Sequence, residues 1–456
     1  MKVDYLIVGA GASGLVFADR LLTNSDATMA LIDRRPLPGG HWVDGYPFVR
    51  LHAPSVLYGV DSAPLGHEGL DDHGLNAGLG HCARLAEIMA HFETCLHERL
   101  IPSGRVHYLP AHEMDSQGQV RRCIDGELIA IDASVVVDAG YFTNAVPKTE
   151  PPPFNVATGT AYCTPADLPT LARDYSEFVV AGAGKTGMDA VTFLLGLGAA
   201  TDQIRWIVPR DPWVFNRVGL QSHPKFLTDM LRLTAAQLEA MAYSTSIEEF
   251  EDGMEAGDVW LRVTDNARPS MFHAACSSQR ECEVLRTVNP VRLGYIQSVE
   301  PGQVLLDGGR LAMGRGTLLV NCTASALTRQ RPRPIFEPGR ITMQFLRFPA
   351  PCFSAAMLAE IERHVPDNEK NDCAKPTGVT DTSADFLRTT LIQQQNQIVW
   401  NRYPELKAFY RSSRLDAMAR LVRSGDRTDP ALRTFYERIQ RATSAAAENI
   451  PRLLAA

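Results

Sequence analysis

Short, continuous apolar runs followed by glycine, and then by apolar residues at helical spacing, set the rhythm of this chain. Asp4-Tyr5-Leu6-Ile7-Val8 is such a run, and its length and glycine boundary predict a strand buried on both faces of a parallel sheet. Beyond the glycines, Leu15, Ala18, Leu21 and Leu22 share one face of a helix, with Asp19 and Arg20 turned to water. A second strand is predicted over 28–32. The same order of strand, glycine turn, helix and strand recurs with Phe178-Val179-Val180-Ala181, a helix over 188–197 and a strand over 204–208.

Between and beyond these two units the pattern is less regular. Leu85, Ile88, Met89, Phe92 and Leu96 predict a core-facing helix within 82–100, residues 106–109 a strand, and the alternation through 120–133 a small antiparallel ribbon. Two further apolar strands end in small residues: Val135-Val136-Val137-Asp138-Ala139-Gly140 and Leu318-Leu319-Val320-Asn321-Cys322-Thr323-Ala324. From about residue 383 the pattern is helical, with Thr428-Asp429-Pro430 reading as a cap followed by proline in the first turn.

With 456 residues, more than one core is expected, and 45% hydrophobic with 21% charged residues matches an ordinary globular protein. A net charge of -7 without any long Lys/Arg cluster argues against a nucleic-acid partner. No apolar run is long enough to span a bilayer, so no membrane association and a cytoplasmic enzyme are expected. Nine scattered cysteines form neither a disulfide framework nor a metal knuckle; Cys276 and Cys282 are too far apart for a Cys-x-x-Cys couple. No metal site is expected. Asn321-Cys322-Thr323 fits the glycosylation pattern only formally, because it ends a buried-type run.

The chemistry lies in the two turns. In Gly9-Ala10-Gly11-Ala12-Ser13-Gly14, Gly9 permits the bend, Gly11 lets backbone approach a diphosphate, and Gly14 lets helix and strand pack closely. The unpaired N–H groups and dipole of the helix N-terminus favour the anion. Asp33 ends the second strand, 19 residues beyond Gly14, where a carboxylate can accept from ribose hydroxyls. The second turn, Gly182-Ala183-Gly184-Lys185-Thr186-Gly187, is followed instead by Pro209-Arg210. A guanidinium there can pair with a 2′-phosphate, with Lys185 also available, which favours NADPH over NADH. The alternative for Arg210 is a loop arginine paired with Asp211. An ATP-binding P-loop is excluded because the required glycine position holds Val179. Two dinucleotides on one chain pair productively as FAD on the first turn and NADPH on the second.

On these residues the sequence resembles the two-dinucleotide-domain flavoproteins, and within them the class B flavoprotein monooxygenases: flavin-containing, Baeyer–Villiger and N-hydroxylating enzymes. After Asp33-Arg34-Arg35, the segment Gly39-Gly40-His41-Trp42 is similar to the family's Gly-Gly-x-Trp, which implies contact with the FAD ribose and diphosphate; Tyr46-Pro47 follows. Val208-Pro209-Arg210-Asp211-Pro212-Trp213 resembles the segment carrying the NADP-phosphate arginine. The strands ending at Gly140 and Ala324 resemble the crossovers between lobes. The implied fold class is α/β: two Rossmann-like dinucleotide-binding domains, the NAD(P)H domain inserted in the FAD domain, plus a helical C-terminal region. The implied division is 1–150 for the first part of the FAD domain, 151–323 for the NADPH domain, 324–382 for the return and 383–456 for the helices. Two departures stand out: 154–162 lacks the family's Phe-x-Gly-x-x-x-His linker, and the returning strand reads Ile341-Thr342-Met343-Gln344-Phe345 without Gly-Asp.

The expected FAD contacts are therefore Gly9, Gly11, Ala12, Ser13, Gly14, Asp33, Arg34, Gly40, His41, Trp42 and Gly140, with His52 a candidate neighbour of the flavin ring and, alternatively, a loop histidine satisfied by carbonyls. The expected NADPH contacts are Gly182, Gly184, Lys185, Thr186, Gly187 and Arg210. Trp213 and Phe215 read equally as pocket or core. The resemblance implies hydride transfer from NADPH to flavin, then reaction with molecular oxygen through a hydroperoxyflavin and insertion of one oxygen atom into a small substrate. No catalytic side chain is required by that chemistry, and none is named. The alternatives are a flavin reductase, dehydrogenase or oxidase without oxygen insertion, and a binding or sensor protein that turns nothing over.

Overall fold

Two parallel sheets organise the molecule, each built around one of the glycine turns. The structure is a computed structural model and describes residues 1–142, 144–325 and 330–455. In the first sheet Lys2–Val8 lies centrally, flanked by Met29–Asp33 and Asp132–Asp138, with Val106–Pro110 outermost on one side. On the other side Arg340–Thr342 returns to pair in parallel with Asp132–Asp138, and Phe336–Glu337 closes the edge antiparallel to it. The second sheet runs Pro290–Val291, Ile204–Ile207, Glu177–Ala181, Thr317–Asn321 and Tyr162–Cys163, all parallel. Its strands fall between the chain's departure from the first sheet at Asp138 and its return at Phe336.

Both central strands are buried on both faces, as their unbroken apolar runs require. The helices that follow, Ala12–Asn24 and Lys185–Gly196, begin earlier than apolar spacing alone marks, because the turn residues themselves take up the first helical positions. Ala12–Asn24 packs against Pro351–His364; Arg20 and Asn24 both reach Glu360, the latter at 2.9 Å. The ribbon predicted within 120–133 is part of a three-stranded antiparallel sheet, His112–Met114, Val120–Arg122 and Leu128–Ile129. Phe154, in place of a linker signature, is buried beside the strand Asn155–Val156, which joins a separate sheet through Ser298 and Val299.

A third core, rich in aromatics, joins the second lobe to the C-terminal helices. Trp213, Phe250, Trp260, Phe272 and Phe386 pack there with Ile450 and Leu453. The helix Pro430–Leu453 lies along Leu227–Tyr243, held by Asn449 Nδ2 donating to the carbonyls of Met241 and Ser244 at 3.0 and 2.8 Å. Asp429 caps it, accepting from the Ala431 amide at 2.9 Å with Pro430 behind. Pro404–Ser412 instead packs on Pro351–His364, so the C-terminal helices cover both lobes. All nine cysteines are free, eight of them buried. Asn321 is buried and donates to the Tyr162 hydroxyl at 2.9 Å, which removes it from glycosylation. Among the described residues no helix is long and apolar enough to cross a membrane. The expected junction at 324–382 includes 326–329, which lie outside the described residues.

Candidate functional site

A cavity of ≈ 1110 Å³ runs from the first glycine turn, past the second, to the C-terminal helices. At its first end the wall is backbone. Gly9 adopts φ +111°, open to glycine, and a Cβ on Gly14 would meet the Gly9 carbonyl oxygen at 1.9 Å, so close helix–strand packing requires that glycine. Gly11 faces Gly40: a Cβ on Gly40 would lie 2.9 Å from the Gly11 Cα. Gly11 is the N-cap of Ala12–Asn24 with no side chain capping it, and the first intrahelical bond is Leu15 N to Gly11 O. The amides of Ala12, Ser13 and Gly14 therefore have no intrahelical acceptor, and Ala12 and Ser13 line the cavity. These are the requirements of a diphosphate cradle, and the residues present fit one.

Asp33 borders the same end, buried, with Oδ2 accepting from the Ala10 amide at 2.7 Å and Oδ1 from the Arg35 amide at 2.8 Å. The carboxylate thus fixes the turn, and its remaining lone pairs suit ribose hydroxyls. Arg34, Gly40, His41, Trp42, His52 and Gly140 also line the cavity, so every expected FAD contact except Gly14 reaches it, and Gly14 acts behind the wall. His41 lies against Trp42 with ring centroids 4.7 Å apart, and burial with the nearby Arg35 charge lowers its pKa to about 4. His52 sits on the seam between lobes: its Nδ1 accepts from the Cys276 amide at 3.0 Å and its carbonyl from Arg217 Nε at 2.8 Å. Burial, then Lys185 and Arg217, push His52 down to about 3, so it is a neutral acceptor.

At the second turn Gly182 takes φ +118° and packs on the Cys322 carbonyl, Gly187 repeats the close approach of Gly14, and a Cβ on Gly184 would meet nothing within 4 Å. Gly184 caps Lys185–Gly196 with no side-chain bond, leaving the first amides without intrahelical acceptors. This turn too fits a diphosphate. Lys185 and Thr186 reach the common cavity, whereas Gly182, Gly184 and Gly187 do not line it.

Two of the expected NADPH contacts are engaged by the chain's own carboxylates. The Lys185 ammonium is drawn inward to Asp189 and, at 2.8 Å, to Glu281. Burial works against its charge, but the two carboxylates hold its pKa above the usual range. Arg210 pairs neither with a free groove nor with Asp211; Nη1 donates to both carboxylate oxygens of Asp381 at 3.0 and 3.1 Å, and Asp211 instead receives Arg292. Trp213 is core, 1% exposed, while Phe215 lines the cavity, so the pair divides between the two readings.

The far end of the cavity was not legible in the sequence. Met343, Gln344 and Phe345 follow the returning strand along the wall, and Pro349, Ala350 and Pro351 open the helix Pro351–His364 onto it, giving a third helix N-terminus. Proline at that helix start was the available signal. Beyond it, Phe215, Met230, Leu233, Phe386, Met418 and Val422 make a largely apolar chamber between Leu227–Tyr243, Ser383–Trp400 and Ala417–Ser424, with Thr234, Gln237, Thr390 and Gln393 as neutral polar points and Arg423, 3.6 Å from Asp416, as a charged one. Away from the cavity, His67, Asp71 and His81 place ligand-type atoms within 4.8 Å of one another. Both His81 nitrogens already meet carboxylates, Asp71 at 2.8 Å and Glu87 at 2.9 Å.

The model of the NAD(P)-binding Rossmann-like domain family matches residues 7–50, the span of the first turn and Asp33. The uncharacterized protein Rv2000 of Mycobacterium tuberculosis is 38% identical over 425 residues, covering 92% of this chain and 79% of its own length, and Mb2023 of Mycobacterium bovis matches to the same extent. Among solved structures, cyclohexanone monooxygenase with cyclohexanone bound superposes with a TM-score of 0.51 at 13% identity, over 92% of this chain and 97% of that one. The chain thus belongs to the family of these mycobacterial proteins and carries the fold of the class B flavoprotein monooxygenases.

Proposed function

We propose that the protein is an FAD-dependent, NADPH-using monooxygenase that inserts one oxygen atom into a small organic substrate, with molecular oxygen as co-substrate. The observation that carries the reading is that two helices on different lobes, each starting from a glycine turn, bring their first residues to one cavity, Ala12 and Ser13 on the first and Lys185 and Thr186 on the second. Residues 1–150 and 324–382 would hold FAD, 151–323 the nicotinamide cofactor, and 383–456 would close the substrate end. The amides of Ala12, Ser13 and Gly14 would bind the FAD diphosphate, Asp33 its ribose, and Met343 to Phe345 with the start of Pro351–His364 the flavin's far end. Bound flavin supplies a hydride acceptor that, once reduced, reacts with oxygen.

The protein's own contribution is positioning and exclusion of water. Phe142, Phe345 and Phe348 wall the middle of the cavity, and Phe215 and Phe386 the entrance to the apolar chamber. His41 and His52, held neutral by burial, offer no proton donor of ordinary acidity there. The chamber's apolar wall and polar points, with Arg423 drawn toward Asp416, suit a small molecule with one or two acceptors, and a cyclic ketone, such as the one bound to the cyclohexanone monooxygenase neighbour, is a rational first probe.

The test is an oxygen balance. Flavin-loaded protein, given NADPH and substrate in air, should consume one oxygen per NADPH and return product rather than peroxide. Stoichiometric peroxide with every ketone and amine offered would make the protein a reductase or oxidase.

A further inference from the structure

Arg210 stands just beyond the strand Ile204–Ile207, at the end of the second unit where a basic side chain would read a 2′-phosphate. Both terminal nitrogens of its guanidinium are engaged by the chain itself. Nη1 donates to both Asp381 oxygens at 3.0 and 3.1 Å, and Nη2 to the Ser270 carbonyl at 2.5 Å. The pair lies at the surface, with Arg210 28% and Asp381 20% exposed, so solute can compete for it. Asp381 is held from other sides too: Oδ1 meets His273 Nε2 at 2.9 Å, its carbonyl accepts from Phe272 N at 2.8 Å, and its amide donates to Asp385 at 3.1 Å. Lys185 and Arg292 on this unit are likewise engaged, Lys185 by Asp189 and Glu281 and Arg292 by Asp211.

We infer that Asp381 is the residue that sets discrimination between NADPH and NADH: its carboxylate occupies Arg210, and a 2′-phosphate is bound only by exchange with it. This rests on the reading of the second turn as the nicotinamide site. Asp381 takes Nη1 through both of its oxygens and Ser270 takes Nη2, so a phosphate that seeks two parallel bonds from the terminal nitrogens must displace the carboxylate from Nη1. The intramolecular carboxylate is prepositioned by the backbone bonds on either side of it, and this lowers the net gain from a phosphate. His273, 45% exposed, remains as a partner for the displaced carboxylate. Because Asp381 directly precedes the cap of Ser383–Trp400, which brings Phe386, Thr390 and Gln393 to the cavity, the exchange acts on the element that borders the substrate chamber.

The experiment is calorimetric titration of the flavin-loaded protein with 2′,5′-ADP and with 5′-ADP, neither of which can be turned over. Asp381→Asn should bind 2′,5′-ADP about tenfold more tightly than the unmodified protein does, with 5′-ADP unchanged, and adding Arg210→Ala should abolish the gain. His273→Gln, at an exposed position, should loosen the carboxylate and give a smaller gain of the same sign, which keeps the test open should Asp381→Asn fail to fold. If 5′-ADP binds throughout but the ratio of the two affinities does not move in either variant, or moves without Arg210, Asp381 has no such role although the site stands. Should neither nucleotide bind any form of the protein, the nicotinamide reading itself fails.

Discussion

The pairing of Gly11 with Gly40 is a constraint at the scale of single residues, because two backbones approach where any side chain would intervene. A Cβ on Gly11 would lie 3.4 Å from the Gly40 Cα, and a branched side chain would project along the cavity wall where the diphosphate must lie. Gly11→Val should therefore yield folded protein without flavin, read as loss of the 450 nm-region absorbance against an unchanged circular dichroism spectrum. Retained flavin would move the cofactor elsewhere. Titration gives a second residue-scale prediction. His91 is buried, accepts from the Val60 amide at 3.0 Å, and is held at about 4 by burial and the Arg414 charge, against 6.5 for a free histidine. Between those values the unfolded chain binds a proton that the native protein refuses, so this stabilising contribution is complete above pH 6.5 and is lost as pH falls toward 4. The urea midpoint should fall across that window, and His91→Gln, which keeps an acceptor but does not titrate, should flatten the slope by at most about 1.4 kcal/mol per pH unit. An identical slope in the variant would assign the acid sensitivity to other groups.

Elements translate these local choices into a site, and their start points matter more than their lengths. Ser383–Trp400 carries Phe386, Thr389, Thr390 and Gln393 to the cavity, and its origin is fixed by Thr382, whose hydroxyl accepts from the Asp385 amide at 3.3 Å while Asp385 returns a carboxylate to the Thr382 amide at 3.1 Å. Thr382→Ala should cost about 1 kcal/mol in urea unfolding and Thr382→Ser much less, since the serine hydroxyl restores the cap. Equal losses would mean the threonine methyl, not its oxygen, is what the position needs. Such features were legible in the chain because they are local: the order of Val8, the glycines, Leu15 and Asp33 dictates strand, turn, helix and carboxylate within about thirty residues, by sterics alone. The second turn was legible for the same reason. What could not be read is the tie between Arg210 and Asp381, 171 residues apart, or the inward turn of Lys185 toward Glu281, 96 residues on. Long side chains choose among partners that only the tertiary fold assembles. The wall from Met343 to Pro351 was missed because it is made where a returning strand and a helix start meet, with no side-chain motif to mark it.

On the scale of the whole molecule, the two lobes are joined at the cavity by buried charge rather than by apolar contact alone. Glu281, 5% exposed, receives Lys185 at 2.8 Å and Arg217 at 2.9 Å; Arg217 continues to Asn76 Oδ1 at 3.0 Å and the His52 carbonyl, and the Tyr46 hydroxyl reaches Asp189 at 2.6 Å. Burial opposes ionisation of Glu281, yet the two cations hold its carboxyl well below the usual range, so it is an anion between them. Each member therefore depends on the others: removing the carboxylate leaves two cations enclosed with one partner fewer, and desolvation is no longer offset. Glu281→Ala should destabilise by about 3 to 5 kcal/mol, whereas Glu281→Gln, which keeps acceptor geometry without charge, should lose less. Because Tyr46, His52 and Asn76 come from the first segment and Lys185, Arg217 and Glu281 from the second, the loss should also separate the lobes in unfolding, with the second releasing at lower urea while flavin remains bound to the first. A single transition, shifted by under about 1 kcal/mol, would show that apolar packing between the lobes holds the cavity together and that the ion cluster serves only the second turn.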